Sequence, residues 1–215
     1  MKIPTNWTFK DRNIANSFDS HVREQLPWYE LASYMIAHIV RNYFPENGLF
    51  LDLGCSTGNI SSVCKDTLLS RNAKILNIDN SQEMLVRFSG IGETIHSDIE
   101  NYEIPDFDVC VLFLSLMFVP VSYREELIAN LKRHCRTGGA IIIVDKVESL
   151  SGYMGLVLSR FNLSNKLDAG CTPTDVLAKE LSISGIQRPL NPDLLNSFIK
   201  WFQVGEFQGW LYEAV

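Results

Sequence analysis

Between Leu49 and Lys146 the chain alternates short apolar runs with segments of helical spacing, and this alternation limits the fold more than any other feature. The runs "LFLDL", "AKILNID", "GETIHSD", "VCVLFLSLMFV" and "AIIIVDK" read as strands. "LFLDL" is apolar on both faces, as a central parallel strand must be. Parallel neighbours need crossover helices, so the alternation predicts an α/β fold built on a doubly wound, mostly parallel sheet. From Trp28 to Phe44, "WYELASYMIAHIVRNYF" has helical spacing that Pro45 and Gly48 end. The stretch after Thr57 reads as one helix, and "SQEMLVRF" as a helix capped by Ser81 with Glu83 near the capping-box position. "REELIANLKRHCR" reads as an amphipathic helix stopped by Gly138 and Gly139. The tail "FIKWFQVGEFQGWLYEAV" predicts an antiparallel hairpin at one sheet edge, around a Gly205 to Gly209 turn region.

Residues 1–215 are expected to form a single domain. Within it, residues 1–45 are expected to form a helical lid, and residues 149–196 an insertion of two or three short helices facing the substrate side. Nineteen Lys and Arg against twenty-five Asp and Glu give a net charge of −6, so no global positive field draws the chain to nucleic acid or anionic lipid. The five cysteines are odd in number, scattered and without a C-x-x-C pair. That argues against a disulfide framework and against a metal site, and fits a reducing compartment. The N-terminus lacks the apolar core of a signal peptide and no run approaches a membrane span, so a soluble, cytoplasmic protein is expected.

The first strand runs into "GCSTGN". In an open α/β sheet ligands bind beyond the carboxyl ends of the strands, usually beside strand one, and this loop sits there. Gly54 allows the tight turn and Gly58 lets the next helix approach, while Ser56 occupies the middle position where dinucleotide sites prefer glycine, which disfavours a pyrophosphate. The same string matches a hydrolase nucleophile elbow with Ser56 as nucleophile, but neither His96 nor His134 falls where the triad needs it, and no HGGG-type motif is present. Asp79 ends the second strand, placed to accept from both hydroxyls of a ribose or to stand as a solvated turn residue. Asp98 ends the third, placed to receive an adenine amino group or to cap a helix. A glycine turn and two acids at three strand ends describe an adenosine-shaped site.

"LDLGCSTGN", "NIDNSQEML", "HSDI" and "TGGAIIIVDK" resemble the motifs of class I S-adenosylmethionine-dependent methyltransferases over residues 28–148 and the terminal hairpin. Within that superfamily the chain is most similar to the carboxy-S-adenosylmethionine synthases, sharing "DLGCS", "IDNS", "FVP" and "WFQ". The resemblance implies a seven-stranded Rossmann-like methyltransferase sheet and S-adenosylmethionine, or its carboxylated form, as cofactor. It implies ligand contacts at Tyr29, Gly54, Cys55, Ser56, Asp79, Asn80, Asp98 and Ile99. Asp52, with Gly54, is expected to meet the methionine amino group, or else to tie the loop backbone together, and Tyr29 to meet or cover its carboxylate. Two departures stand out. Phe113 replaces an asparagine facing the cofactor, and Glu180 takes the place of the arginine that grips the extra carboxylate. An acid there repels that group. Arg188, or an arginine across a homodimer interface, is the remaining source of a cation.

Methyl transfer from a sulfonium asks chiefly for proximity and alignment, and no catalytic residue is assigned. His21 and Arg23 read as part of a lid or as a solvated helix face, and Ser115, Met117 and Phe118 as candidate substrate contacts. Trp201, Phe202 and Trp210 read as edge-strand core rather than a stacking platform. Three functions stand: a methyltransferase acting on an unidentified small molecule or exposed nucleophile, a carboxy-S-adenosylmethionine synthase-like enzyme, and a non-catalytic S-adenosylmethionine-binding interaction protein.

Overall fold

The computed structural model describes residues 12–148 and 152–215. The first eleven residues of the expected lid and the start of the expected insertion lie outside them. Seven strands form one sheet in the order β3-β2-β1-β4-β5-β7-β6. They are β1 (Leu49–Leu53), β2 (Lys74–Asp79), β3 (Glu93–His96), β4 (Phe107–Phe113), β5 (Cys135–Lys146), β6 (Ile199–Val204) and β7 (Phe207–Glu213). The first five are parallel to one another, and β7 runs antiparallel between β5 and β6. The mostly parallel sheet with a terminal antiparallel hairpin is thus as expected. Gly205 begins the hairpin turn at φ +59°, and Gly209 lies inside β7.

Alternation along the central strands divides the core between the two faces of the sheet. Leu49, Leu51 and Leu53 of β1 pack with Ile141 and Ile143 of β5 and with Leu127 and Leu131 of helix α6 (Val121–His134). Phe50 faces the other way, with Val109, Val111 and Phe113 of β4 and with Ile36 and Val40 of helix α2 (Tyr29–Tyr43). Asp52 shares Phe50's parity and points to the α2 side. Helix α1 (Arg12–Gln25) precedes α2 and packs against it.

Several connections differ from the sequence reading. The helix after the glycine loop breaks at Cys64 into α3 (Asn59–Val63) and α4 (Lys65–Ser70). The segment after Ser81 makes one short helix, α5 (Gln82–Leu85), with Ser81 Oγ accepting from the Met84 amide as the expected cap. Between β3 and β4 there is one 3-10 turn, Ile99–Asn101, because "IPDFD" leaves no room for a longer helix. Helix α6 does not run to the glycines: Cys135 turns extended at once and starts β5. Gly138 and Gly139 lie within that strand, where a Cβ on Gly139 would stand 2.3 Å from the Asp108 carbonyl oxygen. They serve strand pairing at an irregular register rather than helix termination. The insertion holds one long helix, α7 (Tyr153–Asp168), then α8 (Pro173–Ser182) and a 3-10 turn at Pro192–Leu195. Phe202 and Trp210 are buried, as edge-strand core requires. Among the described residues no helix is long and apolar enough to cross a membrane.

Candidate functional site

At the carboxyl ends of β1, β2 and β4 a cavity opens under α1 and α2. Its wall begins with the glycine loop. Gly54 has φ +84°, Ser56 +50° and Gly58 +94°, so three of five consecutive residues are left-handed. The turn is pinned to β2 by the Gly54 and Cys55 amides, which donate to the Ile78 carbonyl at 2.7 and 3.0 Å. Space forces both glycines. A Cβ on Gly54 would lie 2.3 Å from Ser115 Cβ, and one on Gly58 2.5 Å from the Gly90 nitrogen. Leu114, after β4, is also left-handed at φ +58°, a costly conformation for that residue, and it lines the same cavity.

Eight of the ten sequence-predicted contacts line the cavity: Tyr29, Asp52, Gly54, Cys55, Ser56, Asp79, Asn80 and Ile99. Gly58 and Asp98 do not, Gly58 supporting the loop from behind and Asp98 accepting from Asn80 Nδ2 at 2.8 Å. Asp79 accepts from the Ser56 amide with one oxygen and from the Ser81 amide with the other, each at 2.8 Å. Burial raises its pKa and those backbone donors oppose the rise. Asp52 is buried, and neither carboxylate oxygen has a hydrogen-bond partner among the described residues. Burial, and then the charge of Asp79, push its pKa up to about 8. The buried Ser56 hydroxyl is likewise without a described partner. Burial and the same two acids push the Cys55 thiol up, so it stays protonated and is no nucleophile.

Helix α1 is fastened over the loop. Thr57 donates to Asp19 at 2.6 Å and Arg23 to Asn59 at 3.0 Å. The Arg23 guanidinium also lies 5.3 Å from the centre of the Tyr29 ring, whose other neighbour is Phe113 at 4.9 Å. Arg23 therefore bonds the loop's flank. The cavity side of α1 brings Phe18, which the sequence reading did not single out. Ser115 and Phe118 line the cavity and Met117 does not. The Ser115 hydroxyl is committed to the Leu53 carbonyl at 2.7 Å.

Two residues that shape the floor were also missed. Asp145, buried in β5, accepts from the Met117 amide at 3.0 Å, and burial pushes its pKa up to about 7. Arg124 of α6 donates to the carbonyls of Val119, Met117 and Arg188 at 2.9, 3.1 and 2.7 Å. Together they clamp the segment carrying Phe118 and Val119. Asp145 lies one residue before the end of β5, near a strand's carboxyl end as Asp79 is, which was its signal. Glu180 does not line the cavity: it sits on α8, paired with Lys166. None of the described residues lining the cavity is a lysine, arginine or histidine, whereas Asp52, Asp79 and Glu100 all do so.

Comparison with known proteins fits this arrangement. The family described as "Methyltransferase domain" matches residues 51–143. The carboxy-S-adenosyl-L-methionine synthase of Staphylococcus epidermidis is 31% identical over 193 residues, covering 87% of this chain and 84% of that protein. The enzyme of the same name from Idiomarina loihiensis is 27% identical over 208 residues, 92% of this chain and 84% of that protein. Among solved structures, the plantazolicin methyltransferase BpumL in complex with a monoazolic desmethylPZN analogue and SAH superposes with a TM-score of 0.65 at 15% identity, over 95% of this chain and 90% of that one. Human N-acetylserotonin methyltransferase in complex with SAM gives 0.56 at 16% identity, over 96% and 58%. These two share the fold of the sheet and its helices. By its sequence and its architecture the chain belongs to the carboxy-S-adenosyl-L-methionine synthase family, on the fold of the S-adenosylmethionine-dependent methyltransferases.

Proposed function

We propose that the chain binds S-adenosylmethionine in this cavity and directs its methyl group to an uncharged small-molecule nucleophile by proximity and alignment. The observation that carries the reading is Asp52, a buried carboxylate on the cavity wall with no described partner. An orphaned buried acid stays neutral or meets a cation, and the amino and sulfonium groups of S-adenosylmethionine are cations. The bound cofactor supplies an activated methyl group. The chain's own residues bind, orient and exclude water. Asp79 keeps lone pairs for ribose hydroxyls beyond its two backbone bonds, Asn80 and Ile99 flank the base, and Gly54 admits the methionine end. Tyr29, Phe18 and the fastened α1 cover the site, and Phe113, Leu114 and Phe118 leave the acceptor side apolar.

A second reading, synthesis of carboxy-S-adenosylmethionine from a carboxylate donor, is favoured by the names of the relatives. It places another negative group in a cavity with three carboxylates and no described cation, which disfavours it. Competition between S-adenosylmethionine and its carboxylated analogue at pH 7 on the full-length protein separates the two. Equal or tighter binding of S-adenosylmethionine is expected, and clear preference for the carboxylated ligand would replace methyl transfer with the synthase. A binder without catalysis would hold the cofactor and form no demethylated product with any acceptor. The five free cysteines suit a cytoplasmic setting.

A further inference from the structure

Arg23 grips Tyr29 in two independent ways. Its guanidinium lies over the Tyr29 ring at 5.3 Å, within the range of a cation–π contact, and Phe113 packs on the same ring at 4.9 Å. The guanidinium also donates to Asn59 Oδ1 at 3.0 Å; Asn59 Nδ2 donates to Ser33 Oγ at 2.9 Å, and Ser33 Oγ donates to the Tyr29 carbonyl at 2.9 Å. Arg23 thus holds the side chain of Tyr29 directly and its backbone through two other side chains. Ser33 is fully buried, so water does not compete at the inner end of this relay. The guanidinium is itself steadied by Glu30 and by the Asp19 carbonyl at 2.9 Å. Tyr29 and Asn59 line the cavity and Arg23 does not.

We infer that Arg23 is a positioning residue, which aims the Tyr29 hydroxyl at the carboxylate on the cofactor's methionine end. This rests on the binding of S-adenosylmethionine proposed above. With the cofactor's amino group at Asp52, the carboxylate on the same carbon lies beside it and needs a donor. The side-chain donors of Thr57, Asn59, Asn80 and Ser115 are already spent on protein partners. Ser56 belongs to the ribose end, where its amide bonds Asp79. The Tyr29 hydroxyl remains, and burial raises its pKa, which keeps it protonated and able to donate. Since no described cation lines the cavity, that neutral donor has to be aimed well. The charge of Arg23 is shared with Glu30 and Asp19, so it acts by holding Tyr29 and not by drawing the carboxylate from a distance.

Calorimetry on the full-length protein with S-adenosylmethionine and with its decarboxylated form, which keeps the amino and sulfonium groups, tests this. The unmodified chain should prefer S-adenosylmethionine by on the order of tenfold, the worth of one hydrogen bond to a charged group. Arg23→Met and Tyr29→Phe should each remove most of that preference and leave the decarboxylated ligand bound as before. Their combination should lose no more than Tyr29→Phe alone, because both act through one hydroxyl. The Arg23 side chain is 37% exposed, so methionine should leave the fold intact, and Arg23→Lys is the second variant. Lysine should recover only part of the preference, since an ammonium has neither the planar face nor the fork of donors. Equal weakening of both ligands by Arg23→Met would overturn the inference and leave Arg23 a purely structural role. So would unchanged preference, additive losses in the combined variant, or full recovery by lysine. Binding of neither ligand to the unmodified chain would overturn the cofactor reading itself, and the inference with it.

Discussion

The Ser56 amide donates to one oxygen of Asp79 at 2.8 Å, so the acid that ends β2 also sets the position of the turn that ends β1. The proposed ribose contact and the loop geometry thereby rest on one side chain. Asp79→Ala is expected to lower affinity for S-adenosylhomocysteine by roughly ten- to a hundredfold, about 1.5 to 3 kcal/mol. The same variant should lower the melting temperature of the free protein, since two part-buried amides lose their acceptor. Calorimetry and thermal unfolding measure the two effects separately. Unchanged affinity would remove Asp79 from the site.

Gly54 and Gly58 act inside the fold, not only at the ligand. Added carbons would strike Ser115 and Gly90 rather than the open cavity, and both residues are left-handed. Gly58→Ala should therefore destabilise the free protein by more than the roughly 1 kcal/mol of backbone strain alone, because Gly90 backbone must move as well. Urea unfolding measures this. A stability change below about 0.5 kcal/mol would show that the loop adapts without cost.

Much of this was legible before the structure, and the misses share a cause. β1, β2, β4 and β5 announced themselves because central parallel strands are apolar on both faces, and the glycine loop because its geometry admits few other residues. Tertiary pairing was not legible. Gly138 and Gly139 looked like a helix stop because local propensity says so, while Gly139 is required by the approach of Asp108 from β4 and Gly138 by its φ of +82° within the strand. The clamp of Arg124 and Asp145 joins positions on α6 and β5 that only the fold brings together. Phe18 was hidden for the same reason, its helix being placed by the Asp19–Thr57 and Arg23–Asn59 bonds.

Arg124→Met should show what that clamp is worth. Removing the guanidinium leaves the carbonyls of Met117, Val119 and Arg188 short of a donor and strips the cation beside Asp145. A loss on the order of 2 to 3 kcal/mol in denaturant unfolding is expected from the carbonyls left without it. Arg124→Lys should recover only part of it, since one ammonium cannot reach the same set of carbonyls. Full recovery by lysine would mean that charge, not the fork of donors, holds the segment.

The last expectation concerns pH and rests on Asp52, whose carboxyl is raised from 3.8 to about 8 by burial first and by Asp79 second. In the free protein the folded state keeps this proton where the unfolded chain releases it. Between about pH 4 and pH 8 the folded state thus binds more protons at this site, and its contribution to stability falls as pH rises through that window. The contribution is fully present below the unfolded value and is lost by the folded one. Asp52→Asn should remove that slope and leave a protein that is flatter in stability from acid to neutral pH. A cationic ligand reverses the preference, because it favours the ionised acid. S-adenosylmethionine should therefore bind more tightly as pH rises from 6 to 8, releasing a proton from Asp52 on the way, and calorimetry in buffers of different ionisation enthalpy should detect that proton. In Asp52→Asn the proton release should vanish and the affinity should fall and lose its pH dependence. Binding without proton release in the unmodified protein would show that Asp52 does not face the cation, and the amino group would then have to be held by backbone carbonyls of the loop alone.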